Sequence, residues 1–198
     1  MSVQEPMTLA TDYLLTITAA IFGARLWRTN RMWALAFFFT AAGSFLGGTN
    51  HGFAPTMGVF PAAVLWKLTI LSIGLASFFL LAGTSRKLVL LAIVKFIAYA
   101  SWMITHDQFL WVIVDYGVTL LIVGIAQLVR RGPSTPWVIA SIVVSVIGAG
   151  VQQSGFDLHK HFNHNDLYHV IQLFALWLLY RGGMLMSRST EQPSTRPT

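Results

Sequence analysis

The chain has 198 residues, of which 55% are hydrophobic and only 10% charged, and its mean hydropathy is +0.64. Soluble domains carry about 25% charged residues, so this composition excludes an ordinary water-soluble domain and implies a membrane protein. The formal charge of +6 does not point to nucleic acid, because the basic residues are distributed over the connections between apolar runs, where they act as a topology signal.

Crossing a hydrocarbon core of roughly 30 Å takes about 20 helical residues. Apolar runs of that kind recur at 10–28, 32–51, 60–83, 87–105, 108–129, 136–153 and 165–183. The expected fold is therefore all-α: one integral membrane bundle of seven helices over residues 1–186, in a cell membrane read as a bacterial inner membrane. The opening "MSVQEPMTLATDYLL" lacks the basic segment and small-residue cleavage site of a secretory signal, so the first span is expected to be retained. Residues 187–198 are polar and proline-containing and are expected to form a disordered cytoplasmic tail.

Arg25, Arg28 and Arg31 bracket the first connection, Arg86 and Lys87 the third, Arg130 and Arg131 the fifth, and Arg181, Arg188 and Arg196 follow the last span. These connections share one side of the bilayer, so the positive-inside rule places them in the cytoplasm, with the N-terminus outside and the C-terminus inside. On the outer side are Glu5, Asp12, Asp107, Asp157 and Asp166, with Lys160 the only strongly basic residue.

All six histidines fall at that outer end. His51 closes the second span, His106 the fourth, and His159, His161, His164 and His169 lie before or within the first turns of the seventh. No cysteine is present, which leaves His, Asp, Glu and backbone groups as possible metal ligands. Imidazole is the commonest metal ligand, and three imidazoles with a water make an open, catalytic-type zinc site. The alternative is a set of interfacial histidines, amphipathic rings at the depth of the headgroups.

In the seventh span Asn163 or Asn165 suits the N-cap, and Asp166 suits the positive end of the helix dipole. At 100° per residue, Asn165 lies about 40° and Asp166 about 60° from His169, so these three share a face. His164 is about 140° away and reaches the same point only from the cap or before it. His161 must precede the helix.

A deeper polar layer consists of Lys67, Lys95 and Asp115, ionisable residues inside "VLWKLTI", "AIVKFIA" and "VIVDYGV". Such residues are costly in a bilayer and mark function by default. The competing reading is a structural ion pair between Asp115 and one of the lysines, or a snorkelling lysine. Ser44 lies seven residues before His51 and so on nearly the same helix face.

Seven spans, "NHG" at the end of the second and "NDLYHVIQ" opening the seventh resemble the superfamily of alkaline ceramidases, progestin and adipoQ receptors and hemolysin III-like proteins. The resemblance implies a seven-helix membrane hydrolase acting on lipid amides. It also implies a zinc ion held by one histidine of helix two and an H-x-x-x-H pair of helix seven, with a helix-two serine and a helix-three aspartate assisting the bound water. Carried over by position, His51 takes the helix-two ligand role and His169 the second histidine of the pair. Asn165 stands at the first position of that pair, with His164 offset by one. Gly47 stands where the serine is expected, with Ser44 the nearest hydroxyl. Span three offers Lys67 and no aspartate, so Asp115 would stand in.

Three functions follow as alternatives. The first is a zinc-dependent lipid amide or ester hydrolase, with His51, His164 and His169 on the metal and Asp115 or Asp166 as general base or orienting group. The second is a non-enzymatic lipid or small-molecule binder or sensor, its polar site lined by the histidines together with Asn165, Lys67 and Lys95. The third is a haem or quinone redox protein.

Overall fold

A computed structural model describes residues 3–160 and 162–188, with side chains through 186. His161 and the last ten residues, which contain most of the expected tail, lie outside the described residues. Seven α-helices account for nearly all the rest: α1 Pro6–Leu26, α2 Arg31–Met57, α3 Val59–Thr84, α4 Val89–Trp102, α5 Phe109–Arg130, α6 Thr135–Ser154 and α7 His164–Arg188.

The helices begin and end where the local chemistry directs. Asn30 caps α2 by accepting the Trp33 N–H at 3.1 Å, and prolines occupy the first turns of α1 and α6, where their missing N–H costs nothing. Between α2 and α3 a single residue reverses the chain. It is Gly58, with φ +84°, a conformation that L side chains rarely adopt.

Six of the seven helices are long and apolar enough to cross a membrane. The exception is α4, whose 14 residues span about 21 Å. A 3₁₀ turn over Arg86–Leu88 precedes it and Met103 closes it, so the apolar run at 87–105 is only partly α-helical. The six long helices form a closed ring in which α1 packs on α2, α2 on α3, α3 on α5, α5 on α6, α6 on α7 and α7 on α1. Short α4 lies outside, against α3.

The ring has an apolar outside. Ile17, Leu121, Ile125, Val129, Ile147 and Phe174 are exposed, while Thr11, Asp12, Ser77, Thr119, Ser141 and Asp166 are buried. Such a distribution suits a lipid solvent, in which polar groups are satisfied within the protein.

The interior differs between its ends. At the arginine end it is solid, with Leu26, Trp33, Phe37, Leu80, Val138 and Leu179 in one buried cluster. Trp33 is fully buried there between glycines: a Cβ on Gly83 would lie 2.6 Å from its ring and one on Gly183 2.8 Å. At the histidine end the helices enclose a cavity instead.

Glycines on α2 set the approach of its two neighbours at the histidine end. A Cβ on Gly48 would lie 2.7 Å from Asp12 Cβ and one on Gly52 3.1 Å from Leu9, both on α1. A Cβ on Gly43 would lie 2.5 Å from Ile73 and one on Gly47 3.3 Å from Thr69, both on α3. Two small-xxx-small spacings thus face two different helices, the means by which membrane helices approach closely.

Gly48→Ala is therefore expected to lower thermal stability in detergent, read by circular dichroism, by about 1–3 kcal/mol, the usual cost of overpacking. Gly150, also helical, has nothing within 4 Å of an added Cβ. Gly150→Ala should be neutral or stabilise by about 0.5–1 kcal/mol through helix propensity.

Candidate functional site

The site is built around a carboxylate inside a membrane-length helix. Asp12, five residues past the end of the "QEPM" segment, is buried on α1 with 5% exposure, facing the first turns of α7. His169 Nε2 lies 3.4 Å from Asp12 Oδ1, and His169 Nδ1 lies 3.0 Å from Thr11 Oγ1. Both ring nitrogens therefore meet polar atoms of α1.

Proton bookkeeping limits the states of this cluster. The Thr11 hydroxyl is also within reach of the Met7 carbonyl at 3.0 Å and the Thr8 carbonyl at 3.1 Å, and it has one proton to donate. If it donates to the backbone, it accepts from Nδ1–H, and the proton facing Asp12 belongs either to an imidazolium or to a protonated Asp12. If it donates to Nδ1, the neutral ring carries Nε2–H. In each arrangement a proton lies between Nε2 and Asp12, because a bare lone pair facing a bare carboxylate would leave both buried groups unsatisfied.

The neighbouring groups are arranged in pairs. His51 Nδ1 lies 3.2 Å from Glu5 Oε2, joining the end of α2 to the residue before α1. His164, the first residue of α7, places Nδ1 2.8 Å from Asp157 Oδ1, which also accepts the His164 backbone N–H at 2.9 Å. These hydrogen bonds hold the exposed Asp157 carboxyl below its ordinary range. Asn163 is the N-cap: its Oδ1 accepts from the N–H groups of Asn165 and Asp166 at 2.8 and 3.2 Å, while Asp166 Oδ2 accepts the Asn163 N–H at 2.8 Å. This is a reciprocal capping box with Asp in the acidic position.

The ring encloses a cavity of about 520 Å³, within the usual range for small-molecule sites. Each helix lines it with a stripe at helical spacing: Thr40, Gly43, Ser44, Gly47 and His51 on α2; Phe109, Val112, Ile113, Tyr116, Gly117 and Leu120 on α5; His164, Asn165, Tyr168, His169, Gln172 and Leu176 on α7. Asp12 and Leu15 of α1 complete it, with residues from α3 and α6. Of the residues singled out from sequence, His51, His164, His169, Asn165 and Ser44 meet in this one cavity.

The others are placed elsewhere. Asp115 falls between the lining positions of α5 and instead pairs with Lys95 of α4, which also donates to Ser77 Oγ at 2.9 Å. Ser77 and Thr119, 2.8 Å apart, extend that polar group. Lys67 pairs with Asp107 and donates to the Met103 and Ile104 carbonyls. Neither lysine lines the cavity. Asp166, expected on the His169 face, turns toward Glu5 and Thr8 through its capping role, in a smaller pocket at the start of α1. His106 stacks on Trp102 with ring centroids 3.9 Å apart, and His159 bridges to Phe162 outside α7.

Imidazole and carboxylate are suitable zinc donors, yet among the described residues no three His, Cys, Asp or Glu side chains are grouped to hold a metal ion. His169 meets Thr11 and Asp12 with its two nitrogens, and one nitrogen of His51 and one of His164 face carboxylates.

Sequence reasoning counted Asp12 only among the outer charges. The available signal was its setting in "TLATDYLLTI", an ionisable residue within an apolar span, the same criterion that singled out Asp115.

Compared with known proteins, residues 7–188 match a family described as "Family of unknown function (DUF6962)". No curated protein and no solved structure matches the chain.

The Lys95–Asp115 pair is the main polar tie between α4 and the ring. Asp115→Leu leaves the ammonium without its counter-ion and is expected to cost about 3–5 kcal/mol in thermal or denaturant unfolding, the range for breaking a buried pair. The double replacement Lys95→Met with Asp115→Leu removes both charges and should recover most of that loss.

Proposed function

The chain belongs to this family of unknown function, and we propose that it is a multi-pass membrane protein that binds one small amphipathic molecule in the cavity of its helix ring. The observation that carries the reading is the grouping of the acid and imidazole side chains at one end of a cavity whose remaining wall is mostly apolar with scattered hydroxyl and amide groups. Asp12, His51, His164, Asn165 and His169 lie toward the starts of α1 and α7 and the end of α2, while Leu15, Ile73, Leu120 and Leu176 line the remainder. A few convergent polar groups on an apolar wall fix the orientation of a ligand.

In this reading all seven helices lie in the bilayer, with short α4 seated against α3. The arginine end faces the cytoplasm by the positive-inside rule. Arg31 over the Trp27 ring at 5.9 Å and Arg181 over the Trp137 ring at 5.0 Å mark that interface. The ligand site then faces the non-cytoplasmic side.

A second reading, a zinc-dependent lipid amide or ester hydrolase, is favoured by one observation: His51 and His169, two positions implied by the family resemblance, line the same cavity, together with Ser44, the hydroxyl nearest the Gly47 position where the serine is expected. With Asp12 and His164 they supply donors of the right type. The described geometry does not bring three of them together, so the donor set as placed does not fit a zinc ion and no catalytic step is derived through it.

Gly117 lines the cavity, and a Cβ there would meet nothing within 4 Å. Gly117→Phe should therefore fill the site without displacing a helix. Native mass spectrometry of wild-type protein released from micelles is expected to show a one-to-one adduct of a small amphiphile, lost in Gly117→Phe at unchanged melting temperature. No wild-type adduct, or the same adduct in both proteins, overturns the binding reading. Near-stoichiometric zinc lost in both His51→Ala and His169→Ala would establish the second reading in its place.

A further inference from the structure

The cavity's shape, its aromatic rim and its charge together specify a ligand. Resting on the binding reading above, we infer that the occupant is a single-chain amphiphile with a cationic nitrogen headgroup, held between Asp12 and an arc of aromatic rings.

The arc runs through four helices. His51 of α2 meets Trp66 of α3 edge-on, with centroids 6.3 Å apart at 84°. Trp66 meets Phe109 of α5 at 6.2 Å, and Phe109 meets Tyr168 of α7 at 6.4 Å and 78°. Tyr168 in turn lies 5.4 Å from His169, whose Nε2 faces Asp12. All six residues line the cavity. The Trp66 indole N–H is already used, donating to the Asp107 carbonyl at 2.8 Å, so the ring offers the cavity its π surface rather than a donor. Rings so grouped attract a cation through their quadrupoles.

Charge points the same way. Among the described residues no lysine or arginine lines the cavity, and apart from histidine the only ionisable acid or base there is Asp12, along with the weakly acidic tyrosines 116 and 168. Asp12 Oδ1 faces His169, whereas Oδ2 turns toward Gly47, where an added Cβ would still be 3.9 Å away. The missing side chain at Gly47 leaves that oxygen accessible to a ligand. A carboxylate or sulfate headgroup would find no lysine or arginine among the described lining residues to offset its charge, which costs free energy in a low-dielectric site. A cationic headgroup, by contrast, is matched by Asp12 in the arrangement in which Thr11 donates to Nδ1 and a neutral His169 ring faces the carboxylate with Nε2–H.

The tail is limited by dimensions. Lining residues run from His51 to Thr40 on α2, from Phe109 to Leu120 on α5 and from His164 to Leu176 on α7, each an axial depth of about 17 Å. A volume of about 520 Å³ is on the scale of sites that hold one drug-sized ligand, which suits one alkyl chain with a small headgroup. The depth takes one extended alkyl chain, its lower end against Leu120 and Leu176.

The test uses full-length protein in nanodiscs and Trp fluorescence titration with dodecyltrimethylammonium, dodecyl sulfate and dodecanol, each below its micellar concentration, with Gly117→Phe as the blank for bilayer partitioning. Saturable binding of the ammonium at least tenfold tighter than of the sulfate or the alcohol, reduced tenfold or more in Trp66→Ala, is the expected result. Asp12→Asn should abolish the preference for the ammonium; if that variant does not fold, the wild-type ranking and Trp66→Ala decide. Equal affinity for the three probes, or a preference for sulfate, overturns the headgroup assignment and leaves the cavity reading standing. Binding of none of them beyond the Gly117→Phe blank overturns both.

Discussion

A carboxylate buried within a membrane-length helix must share a proton or a charge with a partner, and in this protein that requirement joins the first helix to the last. Asp12 meets His169, and Thr11, one residue earlier, meets the other side of the same imidazole. An unpaired charge in that position would cost several kcal/mol. The contact between α1 and α7 closes the ring of six helices, so the pair also defines the enclosure that becomes the cavity. Glycines on α2 make this possible, because Gly48 admits Asp12 to the helix interface and Gly47 places no side chain beside its outer oxygen.

The two ends of the bundle use their interior differently. At the arginine end Trp33 fills the space between α3 and α7 and the ring is solid. At the histidine end, stripes of small and polar residues face one another and leave a void. Small residues permit close helix approach, but their presence on α2 and α5, on either side of α3, also leaves space that larger side chains would fill. Stability is therefore concentrated at one end and ligand capacity at the other. The short α4 takes no part in the enclosure; it is fastened to the ring from outside by Tyr99, whose hydroxyl donates to the Ile70 carbonyl at 2.8 Å, and by Lys95 and Asp115.

Much of this was legible in the sequence. Apolar runs located seven helices with their ends within six residues, the largest miss being the end of α2 at Met57 rather than 51, since length and composition alone decide what a bilayer accepts. Placing the histidines at one end followed from the alternation of antiparallel helices, and the phase of α7 put Asn165 and His169 on one face, where both line the cavity. Residues whose role depends on azimuth within another helix were less legible. Asp115 lies at a suitable depth but one position away from the lining residue Tyr116, which turns its side chain toward α4. Asp166 was drawn to the capping box, a local demand that outweighs helix phase in the first turn. Asp12 went unassigned because its partner lies 157 residues away in sequence on α7, and no local pattern encodes that contact.

The joining of α1 to α7 through His169 is most directly tested by ¹⁵N NMR of histidine-labelled protein in lipid. Thr11→Val should shift the Nδ1 resonance of one imidazole, and Asp12→Asn should shift the Nε2 resonance of that same ring, the one absent from His169→Gln. If the His169 resonances respond to neither substitution, the imidazole is not held between Thr11 and Asp12, and the closure of the ring described here is wrong.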